Sequence, residues 1–334
     1  MSSEKWSRTR LPVVALLLVL PFISSFSFVP TSRSSFVISE RQRVFPQAQV
    51  KTSQSQALEM KSTMPTPKVS NRAMSVPSFK VMDVLQRANE LQSSGHNVIH
   101  CEVGQPESGA PSTVAAAAIE SLSGRNVMGY TDAFGLLALR QKISQHYLKK
   151  YHVKDESVDP KKIVVTTGSS GGFLLAFTAC FDAGDTVAVA SSGYPCYRNI
   201  LGALDVKLAN VKINDEFKLT ANELKDEIEF RRENNMAKID GLILSSPSNP
   251  TGAMLSPEEL QGLCELCDEE GIQFISDEIY HGITYGKKEA TALTYSSNAI
   301  VMNSFSKYYS SKWYPCVLIS INAFTCIALL KFKA

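Results

Sequence analysis

Neither sign of charge dominates this sequence. Lysine and arginine together number 34 against 32 acids, and no basic stripe interleaved with aromatics occurs, so no nucleic-acid partner is expected. A disulfide framework is missing too: the seven cysteines are an odd number scattered through apolar segments, which points to a mostly reduced compartment. Cys264 and Cys267 form a single C-x-x-C pair with no second pair or spaced histidines, so thiols of the core or surface are expected there and a metal site is not. Internal repeats, low-complexity tracts, a GxGxxG fingerprint and a Walker lysine are also lacking, which removes two common routes to nucleotide binding.

Long apolar runs are scarce. Leu11 to Ile23, preceded by Lys5, Arg8 and Arg10, is too short to span a bilayer comfortably and has the order of a secretory signal: basic, apolar, then small residues. The stretch that follows is rich in serine and carries Arg33, Arg41, Arg43 and Lys51, with Glu40 and Glu59 the only acids before Lys61, as in a transit peptide. Phe28-Val29-Pro30 after small residues resembles the signal-to-transit boundary of plastid presequences in diatoms and related algae. Residues 1–27 are therefore expected to be a signal peptide and 28–62 a plastid transit region, the alternative being a plain secretory signal or an uncleaved anchor.

From Met64 the composition shifts toward folded protein. Ser78 to Leu91 has helical periodicity and stops at Gly95, within an N-terminal arm over 63–100. A strand is expected over Val98 to Val103, then helices over Pro111 to Leu122 and Leu136 to Tyr151. Strands over Lys161–Thr167, Thr186–Ser191, Val206–Ile213, Gly241–Ser245, Gln273–Ser276 and Ala299–Asn303 then alternate with helices such as Gly172–Phe181, Thr220–Asn234 and Pro257–Glu270. Near-continuous apolar strands such as Leu242-Ile243-Leu244 suit a sheet covered on both faces. The expected fold is α/β, a mostly parallel sheet flanked by helices, over 101–310.

Ligands of such sheets sit beyond the carboxyl ends of the strands, so the polar groups there are the candidates. Thr167-Gly168-Ser169-Ser170-Gly171-Gly172 opens a helix and could cradle a phosphate, or be a tight turn with a helix cap. Ser192-Gly193-Tyr194-Pro195 offers an aromatic face, Ser246-Pro247-Ser248-Asn249-Pro250 an amide, and Asp277-Glu278-Ile279-Tyr280 an acid and a phenol. Asn303-Ser304-Phe305-Ser306-Lys307 ends the series with an amine, which becomes a nucleophile when desolvated or held as an imine. Pyridoxal chemistry would use each of these groups.

In these motifs, Ser-Pro-Ser-Asn249-Pro-Thr-Gly, Ser-Asp277-Glu-Ile-Tyr280 and Ser304-Phe-Ser-Lys307, the chain resembles the fold type I, class I and II aminotransferases over about residues 78–310. The resemblance implies pyridoxal 5'-phosphate as cofactor and transfer of an amino group from an L-amino acid to a 2-oxo acid. It implies Lys307 as the Schiff-base lysine, Asp277 as partner of the pyridine nitrogen, and Tyr280 and Asn249 at the ring's phenolate oxygen. Tyr194 would stack on the ring, while Ser169, Ser170 and Ser304 would hold the phosphate. Tyr130 would reach the neighbouring phosphate of a homodimer, and the Gly104 backbone would meet the substrate carboxylate.

The likeness ends after Ser310. Where the family has a phosphate-pairing arginine, eight residues after Lys307, stands Pro315, which offers neither charge nor backbone donor. Residues 311–334 are an apolar tail unlike the family, within which Val317 to Ile321 could supply a sheet strand. The chain is accordingly expected to be C-terminally incomplete and impaired. A non-catalytic chain that binds cofactor or pairs with a relative, and a lyase of the same fold, stay open as alternatives.

Overall fold

The strands form because their apolar residues can be buried on both sides at once. The computed structural model describes residues 68–106, 108–124, 129–310 and 316–320. Those from Ser70 onward belong to one compact unit built on a seven-stranded sheet. The strands are β1 (Ile163–Thr166), β2 (Thr186–Ala190), β3 (Lys207–Val211), β4 (Gly241–Ser245), β5 (Gln273–Asp277), β6 (Ile300–Ser304) and β7 (Cys316–Ser320). Their order is β1-β7-β6-β5-β4-β2-β3, and β7 alone runs antiparallel, between β1 and β6.

Strand side chains alternate between two cores, as a period of two requires. Ala188, Leu242, Leu244, Phe274 and Val301 face one core, and Val187, Val189, Ile243, Ile275, Ile300 and Met302 face the other. Helices α4 (Leu137–Tyr151), α7 (Ala221–Glu233) and α8 (Pro257–Glu270) cover the first through Tyr147, Leu224 and Leu263. Helices α5 (Gly168–Cys180) and α6 (Pro195–Ala203) cover the second through Phe173, Phe177, Tyr197 and Leu201. Ahead of the sheet lie α1 (Asn71–Ser75), α2 (Lys80–Ser93) and α3 (Ser112–Ser123).

Local chemistry sets several boundaries. α8 starts on a capping box, Ser256 with Glu259, has Pro257 in its first turn and stops at Gly271, whose φ is +65°. α7 has the same device in Thr220 and Glu223. Both helices lie where the sequence predicts them.

Three expectations change. The run Val98 to Val103 is in no strand, and Ile99 is 84% exposed; apolar alternation cannot reveal whether a neighbouring strand is there to pair with. α5 begins at Gly168 rather than Gly172, because the glycine-serine stretch that looks like a loop forms the helix's first turn. The strand expected over Val317 to Ile321 is found over Cys316–Ser320, so the sheet extends past residue 310. The expected signal and transit regions, and Pro315, lie outside the described residues.

Candidate active site

The carboxyl ends of β4, β5 and β6 lie side by side, since Ser245 pairs with Asp277 and Asp277 with Met302. Whatever follows these strands in sequence is therefore gathered at one edge. β4 delivers the Asn249 loop, β5 delivers Asp277 and Tyr280, and β6 delivers Ser304 and Lys307.

Asp277 is 1% exposed, and each of its carboxylate oxygens accepts one hydrogen bond from the protein around it. Its Oδ2 accepts the hydroxyl of Tyr197, and its Oδ1 accepts the amide of Ile279 at 3.1 Å. Burial pushes its pKa up to about 6, while the Tyr197 hydrogen bond, the Ile279 amide and the charge of Lys307 pull it down.

Lys307 Nζ donates to the carbonyl of Gly104 at 3.0 Å and lies 5.3 Å from the centre of the Tyr280 ring. The amine, the phenol and the Gly104 backbone therefore meet, although Gly104 and Lys307 are 203 residues apart. Asn249 Nδ2 approaches the Tyr280 hydroxyl at 3.4 Å, and burial raises the Tyr280 pKa. Tyr194 sits at the start of α6, edge-on to Phe79 at 5.9 Å and to Tyr197 at 5.5 Å. Burial raises its pKa to about 12, and the charges of Cys196, Tyr280 and Asp277 add to the effect.

The hydroxyl groups lie where β1 turns into α5 and where β6 ends. Gly168 makes that turn with φ +79°, a conformation a side chain would strain. Ser169 and Ser170 follow in the first turn of α5, whose unpaired amides and positive dipole end favour an anion. A Cβ on Gly172 would lie 2.3 Å from Met302 Cε, so the helix start is seated directly on β6. Ser170 Oγ meets Cys196 Sγ at 3.6 Å, joining α5 to α6. Ser304 is buried, and its Oγ accepts the Ser306 amide at 3.1 Å and contacts the Ser306 hydroxyl at 2.8 Å.

Tyr130 stands apart: it is fully exposed. Tyr197 and Phe79, by contrast, belong to the site although the sequence reading did not name them. The signal for Tyr197 was its place three residues after Tyr194, with Pro195 starting a helix between them. Phe79 arrives from the distant start of α2, and no local pattern announces it.

Residues 96–312 match the family described as Aminotransferase class I and II. Over 253 residues the chain is 44% identical to a valine–pyruvate aminotransferase of Mycobacterium tuberculosis, a match covering 73% of this chain and 61% of that protein. It is 33% identical over 268 residues to a (5-formylfuran-3-yl)methyl phosphate transaminase of Methanocaldococcus jannaschii, covering 79% of this chain and 67% of that protein. The crystal structure of an aminotransferase from Mycobacterium tuberculosis superposes with a TM-score of 0.73 at 41% identity, over 80% of this chain and 67% of the other. The chain thus spans about 61% of the valine–pyruvate aminotransferase.

Proposed function

The chain belongs to the class I and II aminotransferases, and from that premise we propose that it binds pyridoxal 5'-phosphate and transfers an amino group from an L-amino acid to a 2-oxo acid. The observation that carries the reading is the buried, ionisable Asp277 within the field of Lys307 at the joined ends of β5 and β6. The donor set fits the cofactor: an amine, a buried carboxylate, a phenol, an amide, and hydroxyls beside a helix N-terminus. When bound, the cofactor supplies an electrophilic carbonyl carbon and a ring that accepts electrons from the substrate's α-carbon.

The chain's own residues do the rest. Lys307 Nζ would hold the cofactor and would move a proton to and from the substrate carbon. Asp277 would keep the ring nitrogen positive, and Asn249 with Tyr280 would donate to the ring's oxygen. Tyr194 would limit the ring from one side. Ser169, Ser170 and Ser304 with the α5 amides would take the phosphate, and the Gly104 backbone would meet the substrate carboxylate.

The name of the Mycobacterium tuberculosis relative supports valine as donor and pyruvate as acceptor for a first trial. The test is chromatography of both products after incubating the purified chain with cofactor, valine and pyruvate. Equal amounts of the new oxo acid and new amino acid are expected. Loss of valine without amination of pyruvate would point to the lyase chemistry of the same fold.

Two further parts of the proposal concern the chain's surroundings. The exposure of Tyr130 supports a homodimer in which it reaches a neighbouring site; sedimentation of the purified protein as a monomer would contradict this. The composition of residues 1–62 supports delivery to a plastid, and a fluorescent fusion of that segment in an alga should label the plastid. Secretion of the fusion would favour the plain secretory reading.

A further inference from the structure

Tyr197 makes the most direct contact with the acid on which the aminotransferase reading depends. Its hydroxyl donates to Asp277 Oδ2, while Oδ1 is taken by the Ile279 amide at 3.1 Å. One oxygen is thus held from α6 and the other from the turn after β5. Tyr197 itself is immobilised. It is 2% exposed, and its ring lies edge-on to Phe173 at 5.0 Å and to Tyr194 at 5.5 Å. The next residue, Arg198, anchors α6 by donating to the carbonyls of Ala190 at 2.8 Å and Ser191 at 3.1 Å.

A rigid phenol aimed at a buried carboxylate does two things. It removes the carboxylate's freedom to rotate, and it favours the anion over the acid, because only the anion uses the donor fully. We propose that Tyr197 is a positioning residue that fixes the Asp277 carboxylate, as the anion, in the orientation a bound pyridine nitrogen would meet. This inference rests on the aminotransferase reading of the site.

The other groups around Asp277 pull in different directions. Lys307, after β6, favours the anion. Glu278 is the neighbouring acid in the chain; Tyr280 follows in the same turn, and Tyr194 and Cys196 belong to the start of α6. Burial is the largest influence and opposes the anion, with Tyr197 the leading one on the other side. Loss of the hydroxyl therefore moves the titration of Asp277 upward.

The experiment follows the visible absorption of the full chain loaded with pyridoxal phosphate as a function of pH, in Tyr197→Phe and with a fluorinated tyrosine at position 197. The fluorinated ring keeps the shape and donates more strongly. The acid-side midpoint should rise by about one pH unit in Tyr197→Phe and fall with the fluorinated ring, as expected for a hydrogen bond to a charged group. In an Asp277→Asn background neither change should move the spectrum further. An unmoved midpoint with the fluorinated ring, or equal shifts in both backgrounds, would overturn the proposal. Carbon-13 NMR of the Asp277 carboxyl in the unloaded chain gives the same two shifts without any cofactor. If those shifts are seen and no Lys307-dependent band forms, the aminotransferase reading fails and the link between Tyr197 and Asp277 stands.

Discussion

His281 donates from Nε2 to the carbonyl of Ser246 at 3.1 Å, tying the residue after Tyr280 to the loop that carries Asn249. Because burial favours the neutral ring and Nε2 carries the proton, its Nδ1 is left to accept the Tyr151 hydroxyl at 2.6 Å. Burial pushes its pKa down to about 4, with the charge of Glu289 opposing and that of Lys150 adding to the effect. A histidine whose folded pKa lies below its unfolded value takes up more protons when unfolded in acid. Its contribution is therefore intact above pH ~6.5 and lost as the pH falls toward 4. Urea unfolding should show this loss, and His281→Phe should flatten it while costing about 1–3 kcal/mol at pH 7 for the unpaired Ser246 carbonyl and Tyr151 hydroxyl.

Glu278 has the opposite sign. It is 1% exposed, and its Oε1 accepts Ser276 Oγ at 3.2 Å, Thr291 Oγ1 at 3.0 Å and the Ala292 amide at 2.9 Å. Burial nevertheless drives its pKa up to about 8. The folded chain binds this proton more tightly than the unfolded one, so stability should fall as pH rises from about 4.5 through 8. Glu278→Gln keeps the accepting oxygen and removes the titration. The variant should be more stable than the wild type at pH 9, by an amount on the order of a few kcal/mol, and should lose that part of the pH dependence.

Gly282 is doubly constrained. Its φ is +95°, and a Cβ there would lie 2.5 Å from Cδ2 of the Tyr308 ring. Gly282→Ala should cost about 2–4 kcal/mol from backbone strain together with overpacking. Because Tyr308 adjoins Lys307, the same change should weaken cofactor binding in an equilibrium titration.

Much of this site is legible before folding because it lies at the ends of buried strands. Apolar residues mark β4, β5 and β6, and the polar residues at or just past their ends, Asn249, Asp277, Tyr280, Ser304 and Lys307, are gathered by the sheet. α8 can be bounded at both ends because its capping box, proline and terminal glycine are local signals. Tyr197 is harder to see for the converse reason: its spacing from Tyr194 places it on the same helix start, but only its hydrogen bond to Asp277 gives it a role. The false strand over Val98 to Val103 shows the same limit, since pairing depends on a partner elsewhere in the chain.

Asp277→Asn isolates the charge from the shape. The substitution keeps a planar side chain but removes the anion that, in the proposed function, would keep the ring nitrogen positive. Turnover should fall on the order of 10²-fold or more, as for other preorganised electrostatic contacts, with little change in the urea midpoint. An undiminished rate would mean that the Asp277 charge does not act on the reaction.

Whether Lys307 holds the cofactor is read from the visible absorption spectrum of the purified chain mixed with pyridoxal phosphate, compared with Lys307→Ala. The wild type should show a band that is absent in Lys307→Ala and that shifts on addition of an amino donor. A folded wild-type chain that gives the same spectrum as Lys307→Ala would contradict that role of Lys307.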